Sequence, residues 1–198
     1  MKSYVAIAAS VAALASPQAQ AGGTTIFQMT VSAGAKTCLP NAKATVTDHS
    51  FGDFENLEVV VNGLAPNTGY DLFVLQVPTA PFGVAWYVGD ITTSGGGGGV
   101  GNFTGRFSSE TFILSPGVAP TVNKFPDPPA FVPEATTGIT TNPIQMYHLG
   151  LWFNSAADAA KAGCPATHTA FNGEHNAGIQ VLNTATFPNT AGPLIPLP

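Results

Sequence analysis

Charge is what this sequence has least of. Only 9% of its 198 residues are charged, against roughly 25% in an ordinary soluble domain. The basic residues are Lys2, Lys36, Lys43, Arg106, Lys124 and Lys161, and they form no cluster. A nucleic-acid partner is read through phosphate-neutralising Lys and Arg, so no nucleic acid is expected. With a net charge of −5, an anionic lipid surface is disfavoured for the same reason. Apolar runs long enough to span a bilayer, roughly 20 residues, are missing as well. The alanine-rich run from Tyr4 to Ala15 falls short of that length. Cysteine is nearly absent, with Cys38 and Cys164 alone. The chain is nevertheless no disordered polyelectrolyte, because 44% of it is hydrophobic.

What the sequence does have begins with an export signature. Lys2 supplies a positive start, the Tyr4–Ala15 run follows, Pro17 breaks it, and Ala19-Gln20-Ala21 offers the small residues a signal peptidase reads. Residues 1–21 are expected to be a cleaved signal peptide, leaving 22–198 as a single domain in a secreted, extracellular or periplasmic, protein. No integral membrane segment is expected after cleavage. In an oxidising compartment Cys38 and Cys164 are expected to pair, which by loop entropy contributes roughly 4–5 kcal/mol.

Alternation of apolar and polar residues is the dominant pattern, and it predicts an all-β fold: an antiparallel sandwich of about eight strands. The segments are Thr24 to Ser32, Ala42 to Thr47, Leu57 to Val61, Tyr70 to Val77, Val84 to Ile91, Phe103 to Leu114, Ile144 to Phe153 and Ile179 to Phe187. Tyr70 to Val77 and Val84 to Ile91 are apolar on both faces, as central strands are. One short helix is predicted over Ala156 to Ala162, capped by Ser155 with Asp158 three residues on and ended by Gly163.

Two segments are compositionally biased. Gly95 to Gly99 reads as a mobile hairpin tip, and no Lys-Ser/Thr pair follows it, so it is not a phosphate-cradling loop. Residues 115–143 hold seven prolines and form neither helix nor central strand, so a long crossing loop is expected there.

The residues Leu64, Pro66, Thr68 and Tyr70 match the Leu-x-Pro-x-Thr-x-Tyr pattern of the E–F corner in fibronectin type III domains. Over about a dozen residues the chain resembles those immunoglobulin-like modules. The resemblance implies a sandwich in which the tyrosine hydroxyl returns to the upstream backbone and locks a crossover. The chain departs from the family in being nearly twice as long and in carrying the glycine tract, the proline loop and a helix with a cysteine.

Candidate chemistry is sparse. His148 shares a strand face with Ile144, Met146 and Trp152, which suits a hydrogen-bonded core histidine. Paired with Glu174 and His175 it offers donors for zinc or copper, though without a spaced ligand motif. Asp48, His49, Asp53, Glu55 and Glu58 form the acidic cluster. Asp48, Asp53 and Glu55 are candidate calcium ligands, but the order is not that of an EF-hand, and a solvated loop that keeps the sheet edge soluble explains them with less. No Gly-x-Ser-x-Gly elbow occurs and no catalytic residue is nominated. Trp86, Tyr87, Trp152 and Phe153 can floor a groove or fill the core. Asn102-Phe103-Thr104 is a glycosylation sequon.

These features lead to a secreted, non-enzymatic protein that binds an unidentified protein or glycan or acts as a scaffold, with no cofactor. The alternatives are a hydrolase or metal-dependent enzyme built on His148, His175 and Glu174, and a structural surface or matrix component.

Overall fold

The computed structural model describes residues 22–52, 54–107, 146–169 and 177–194. The leader, the proline-rich 115–143 stretch, Asp53, Glu174 and His175 lie outside the described residues. Among the described residues the elements are β1 (Thr24–Val31), β2 (Lys43–Ser50), β3 (Glu55–Asn62), β4 (Gly69–Leu75), β5 (Ala85–Thr92), β6 (Gly99–Gly105), β7 (His148–Phe153), α1 (Ala156–Lys161) and β8 (Gln180–Asn183). The all-β expectation holds, with one short helix.

All strand pairings are antiparallel, in the order β5-β4-β7-β8-β1-β2-β3-β6. The expected two-layer sandwich is replaced by one continuous sheet of eight strands that curls nearly into a barrel. Its ends, β5 and β6, approach each other without a hydrogen-bonded ladder. Side chains fill that seam instead. A Cβ on Gly89 or on Gly101 would stand 2.6 Å from the Phe103 ring, so the ring rests where two glycines leave room. Below it Trp86 stacks on Phe107, with ring centroids 5.7 Å apart.

Alternation explains the interior. Phe27 and Met29 of β1, Ala44 and Val46 of β2, and Leu57, Val59 and Val61 of β3 all point inward and are buried. Across the barrel they meet Tyr70, Leu72 and Val74 of β4 and Leu149, Leu151 and Phe153 of β7. Strand β4 is buried on both faces, as its sequence predicts. Strand β5 is not. It ends the sheet, and most of it is half-buried or exposed, because only one neighbour pairs with it.

The outer faces of β4 and β7 are roofed by the chain itself. Phe73, Leu75 and Trp152 form a second apolar cluster there. Phe82, on the 76–84 connection, packs edge-on against Trp152 at 5.0 Å, and Gln180 donates to the Pro78 carbonyl at 3.0 Å. From the other side, Trp152 donates its indole N–H to Thr169 Oγ1 at 3.1 Å.

The glycine tract crosses the seam as a tight turn. Ser94 N–H donates to Gly98 O at 2.8 Å, and the Leu64 amide donates to Gly97 O at 3.1 Å. Gly99 already belongs to β6, four residues before the predicted start at Phe103. The tract is a closed turn between β5 and β6, which approach each other without a ladder of their own.

Helix α1 begins as its sequence dictates. Ser155 Oγ accepts from the Asp158 amide at 3.1 Å, and Gly163 leaves the helix at φ 75, where a side chain would be strained. Cys164 follows and is bonded to Cys38, with Cα atoms 5.2 Å apart across a separation of 126 residues. The bridge joins the end of the helix to the turn after β1, as expected.

Candidate functional site

The 51–54 connection of the β2–β3 hairpin marks one end of the barrel, here called the mouth. Continuing the inward alternation of Ala44 and Val46 brings Asp48 and Ser50 inside, and on β3 it brings Glu55 inside. Ser50 faces Glu55 in the ladder, and Asp48 faces Leu57 one step deeper. Asp48 is 2% exposed and Glu55 6%. Glu55 Oε2 accepts the main-chain N–H of Phe107, just past the end of β6. Asp48 Oδ1 is buried without a hydrogen-bond partner. Burial, and after it the Glu55 charge, push the Asp48 carboxyl up to about 7.

The acidic cluster is therefore no solvated loop. Two of its members are strand residues turned into the barrel, while Glu58 points out. The three calcium candidates are not brought together among the described residues: Asp48 and Glu55 converge, and Asp53 falls outside. Calcium takes 6–8 oxygens, and among the described residues no group of three His, Cys, Asp or Glu side chains stands ready to hold a metal.

His148 lies on the same face as Trp152, as the alternation predicts, and is fully buried. Its Nδ1 lies 2.9 Å from Thr184 Oγ1 and its Nε2 lies 3.0 Å from the Asn189 carbonyl. Both ring nitrogens thus have protein partners, which fits a core histidine. Its proposed co-ligands Glu174 and His175 lie outside the described residues.

At the opposite end, the hydroxyl of Tyr70 accepts the Ala65 amide at 2.9 Å, and Leu64 is buried beside it. Pro66 is part of the same turn; its carbonyl accepts from Thr68 Oγ1 at 2.9 Å. The corner inferred from Leu64, Pro66 and Tyr70 is present as a hydrogen bond.

Of the four aromatics weighed as a groove floor, Trp152 and Phe153 are core. Trp86 is half-buried against Phe107, and Tyr87 is partly exposed, donating to Asp90 at 2.7 Å.

One broad surface went unread in the sequence. The outer face of β1, β2, β3 and β6 has no covering segment among the described residues, and its ladder sets side chains in rows. Thr24, His49, Asn56 and Thr104 form one row; Ile26, Thr47, Glu58 and Asn102 the next; Gln28, Thr45, Val60 and Val100 a third. Ile26 is 65% exposed and Val100 55%. Gln28 bonds Thr45 at 3.0 Å, and Asn56 bonds Thr104 at 3.3 Å, so the polar groups are partly ordered already. The signal was in the outward half of each alternating segment, where uncharged Thr, Asn and Gln replace the usual Lys and Glu.

No protein-family model matches this chain, and neither the curated proteins nor the solved structures contain a match.

Proposed function

We propose that this chain is an exported, non-enzymatic binding protein whose contact surface is the bare outer face of β1, β2, β3 and β6. The observation that carries the reading is an asymmetry. Among the described residues, segments of the chain roof the outer side of β4 and β7 and none covers the four consecutive strands β1, β2, β3 and β6, from which Ile26 and Val100 project. Exposed apolar side chains framed by ordered amides and hydroxyls are what an uncharged protein or glycan surface contacts. Export is supported by the leader-like start and by the Cys38–Cys164 bond. No helix among the described residues is long and apolar enough to cross a membrane. The enzyme alternative gains no observation, because His148 is held by Thr184 and Asn189.

The experiment is a binding survey with soluble protein against neutral polysaccharides and purified extracellular proteins. It is repeated with Ile26→Glu and Val100→Glu, whose melting temperatures are measured alongside. Binding that both variants lose at unchanged stability supports this face. Binding that survives both changes, or a hydrolysed product in the survey, sinks the reading.

A further inference from the structure

We propose that Asp48 and Glu55 form a proton-operated latch at the barrel mouth: while Asp48 holds a proton, Glu55 grips the Phe107 amide, and losing that proton loosens the grip. This goes beyond the binding-face reading and does not depend on it.

The geometry supplies the parts. Both carboxyls point into the barrel from neighbouring strands, one diagonal step apart in the ladder. Asp48 Oδ1 is enclosed and has no hydrogen bond, a state a carboxylate tolerates poorly and a neutral carboxyl far better. Around Asp48, β1 presents Thr25 as its ladder partner and β3 presents Leu57 and Glu55. On β2 itself, His49 turns outward to Thr24 and Phe51. Past the end of β6, Arg106 is exposed while Phe107 turns inward. The Asp48 charge is therefore opposed first by burial and then by Glu55, with Asp48 holding its proton to about neutral pH.

A second anion beside Glu55 is relieved most cheaply at the outer member of the pair. Glu55 begins its strand, whereas Asp48 sits two residues inside the end of β2. Outward rotation of Glu55 breaks its hold on Phe107, the residue that carries the Trp86 stack and closes the lower seam. The mouth is then tight in mild acid and looser in mild alkali.

The test is amide hydrogen exchange of the full chain from pH 5.5 to 8.5, corrected for intrinsic rates. Protection at Phe107 should fall, by up to about tenfold per unit, as pH rises toward the Asp48 transition and should level off above it, with little change in β1 or β4. Asp48→Asn should flatten the profile. Glu55→Gln keeps an oxygen acceptor for Phe107 and should move the transition to lower pH, which serves as the second arm should Asp48→Asn fail to fold. An unchanged profile in either folded variant overturns the latch. So does one equivalent of calcium that abolishes the pH dependence in wild type, since the pair would then be a cation site.

Discussion

Tyr70 and Ala65 are joined by one hydrogen bond, hydroxyl oxygen to main-chain N–H, across five residues at 2.9 Å. That bond fixes the turn by which the chain leaves β3 and crosses the barrel to β4. Burial pushes the Tyr70 hydroxyl up to about 12, with the Asp158 charge adding to the rise and the Ala65 amide opposing it. Tyr70→Phe should cost about 1–2 kcal/mol in urea unfolding, because the buried Ala65 N–H loses its acceptor. Since the folded-state value is raised above the ordinary 10.0, the wild type should also lose stability as pH climbs from about 10 to about 12. An unfolding midpoint flat across that range, or equal in Tyr70→Phe, would contradict the corner's role.

Replacing Cys38 and Cys164 with Ser removes a link across 126 residues. Loop entropy gives about 5 kcal/mol for a loop of that length. Denaturant titration with and without reductant measures it. A loss under about 1 kcal/mol would mean that the unfolded chain is already compact at those positions.

At the seam, Gly101→Val forces a side chain into the Phe103 ring. A destabilisation of roughly 2–3 kcal/mol is expected from overpacking, and Phe103→Ala should cost about as much through the opposite defect. Combining the two should cost less than their sum, by on the order of 1 kcal/mol. Strict additivity would show that the ring and the glycine do not share one space.

Helix α1 depends on its first turn. The Ser155 hydroxyl, and after it the Lys161 ammonium, hold the Asp158 carboxyl below its ordinary value. Ser155→Ala should cost about 1 kcal/mol, and a carbon-detected carboxyl titration by NMR should show Asp158 moving back toward 3.8. The contribution of Asp158 is present above the ordinary carboxylate range and is lost as pH falls through the depressed value.

Much of this was legible in the residues. The strands of β1, β2 and β3, the helix with its cap and its glycine stop, the cysteine pair and the tyrosine corner all follow from local patterns. What escaped has one cause: local pattern does not say which strand lies beside which. Apolar residues on both faces of 84–91 suggested a central strand, yet β5 ends the sheet, and its apolar residues face the seam and the roof. The charge of Asp48 argues for a loop, whereas the alternation argues for a strand. One more step beyond Ala44 and Val46 places it inside. Whether a covering segment roofs a sheet face is likewise decided by tertiary contact, so the alternation marks the rows around Ile26 as outward and uncharged without saying whether anything covers them.

The sheet order has a consequence for how the molecule is made. Strand β1 is joined to the β4–β5–β7 side only through β8, whose ladder with β1 is Thr30 to Asn183 and Val31 to Leu182. Before residues 180–183 are in place, no strand ladder among the described residues ties β1, β2 and β3 to β4 and β5; turn bonds such as Tyr70 to Ala65 and Ser94 to Gly98 are what cross between them. Closure of the sheet therefore waits for β8. Such late, long-range closure is slow, so the last strand to be made is the one that sets the pace at which the sheet becomes whole.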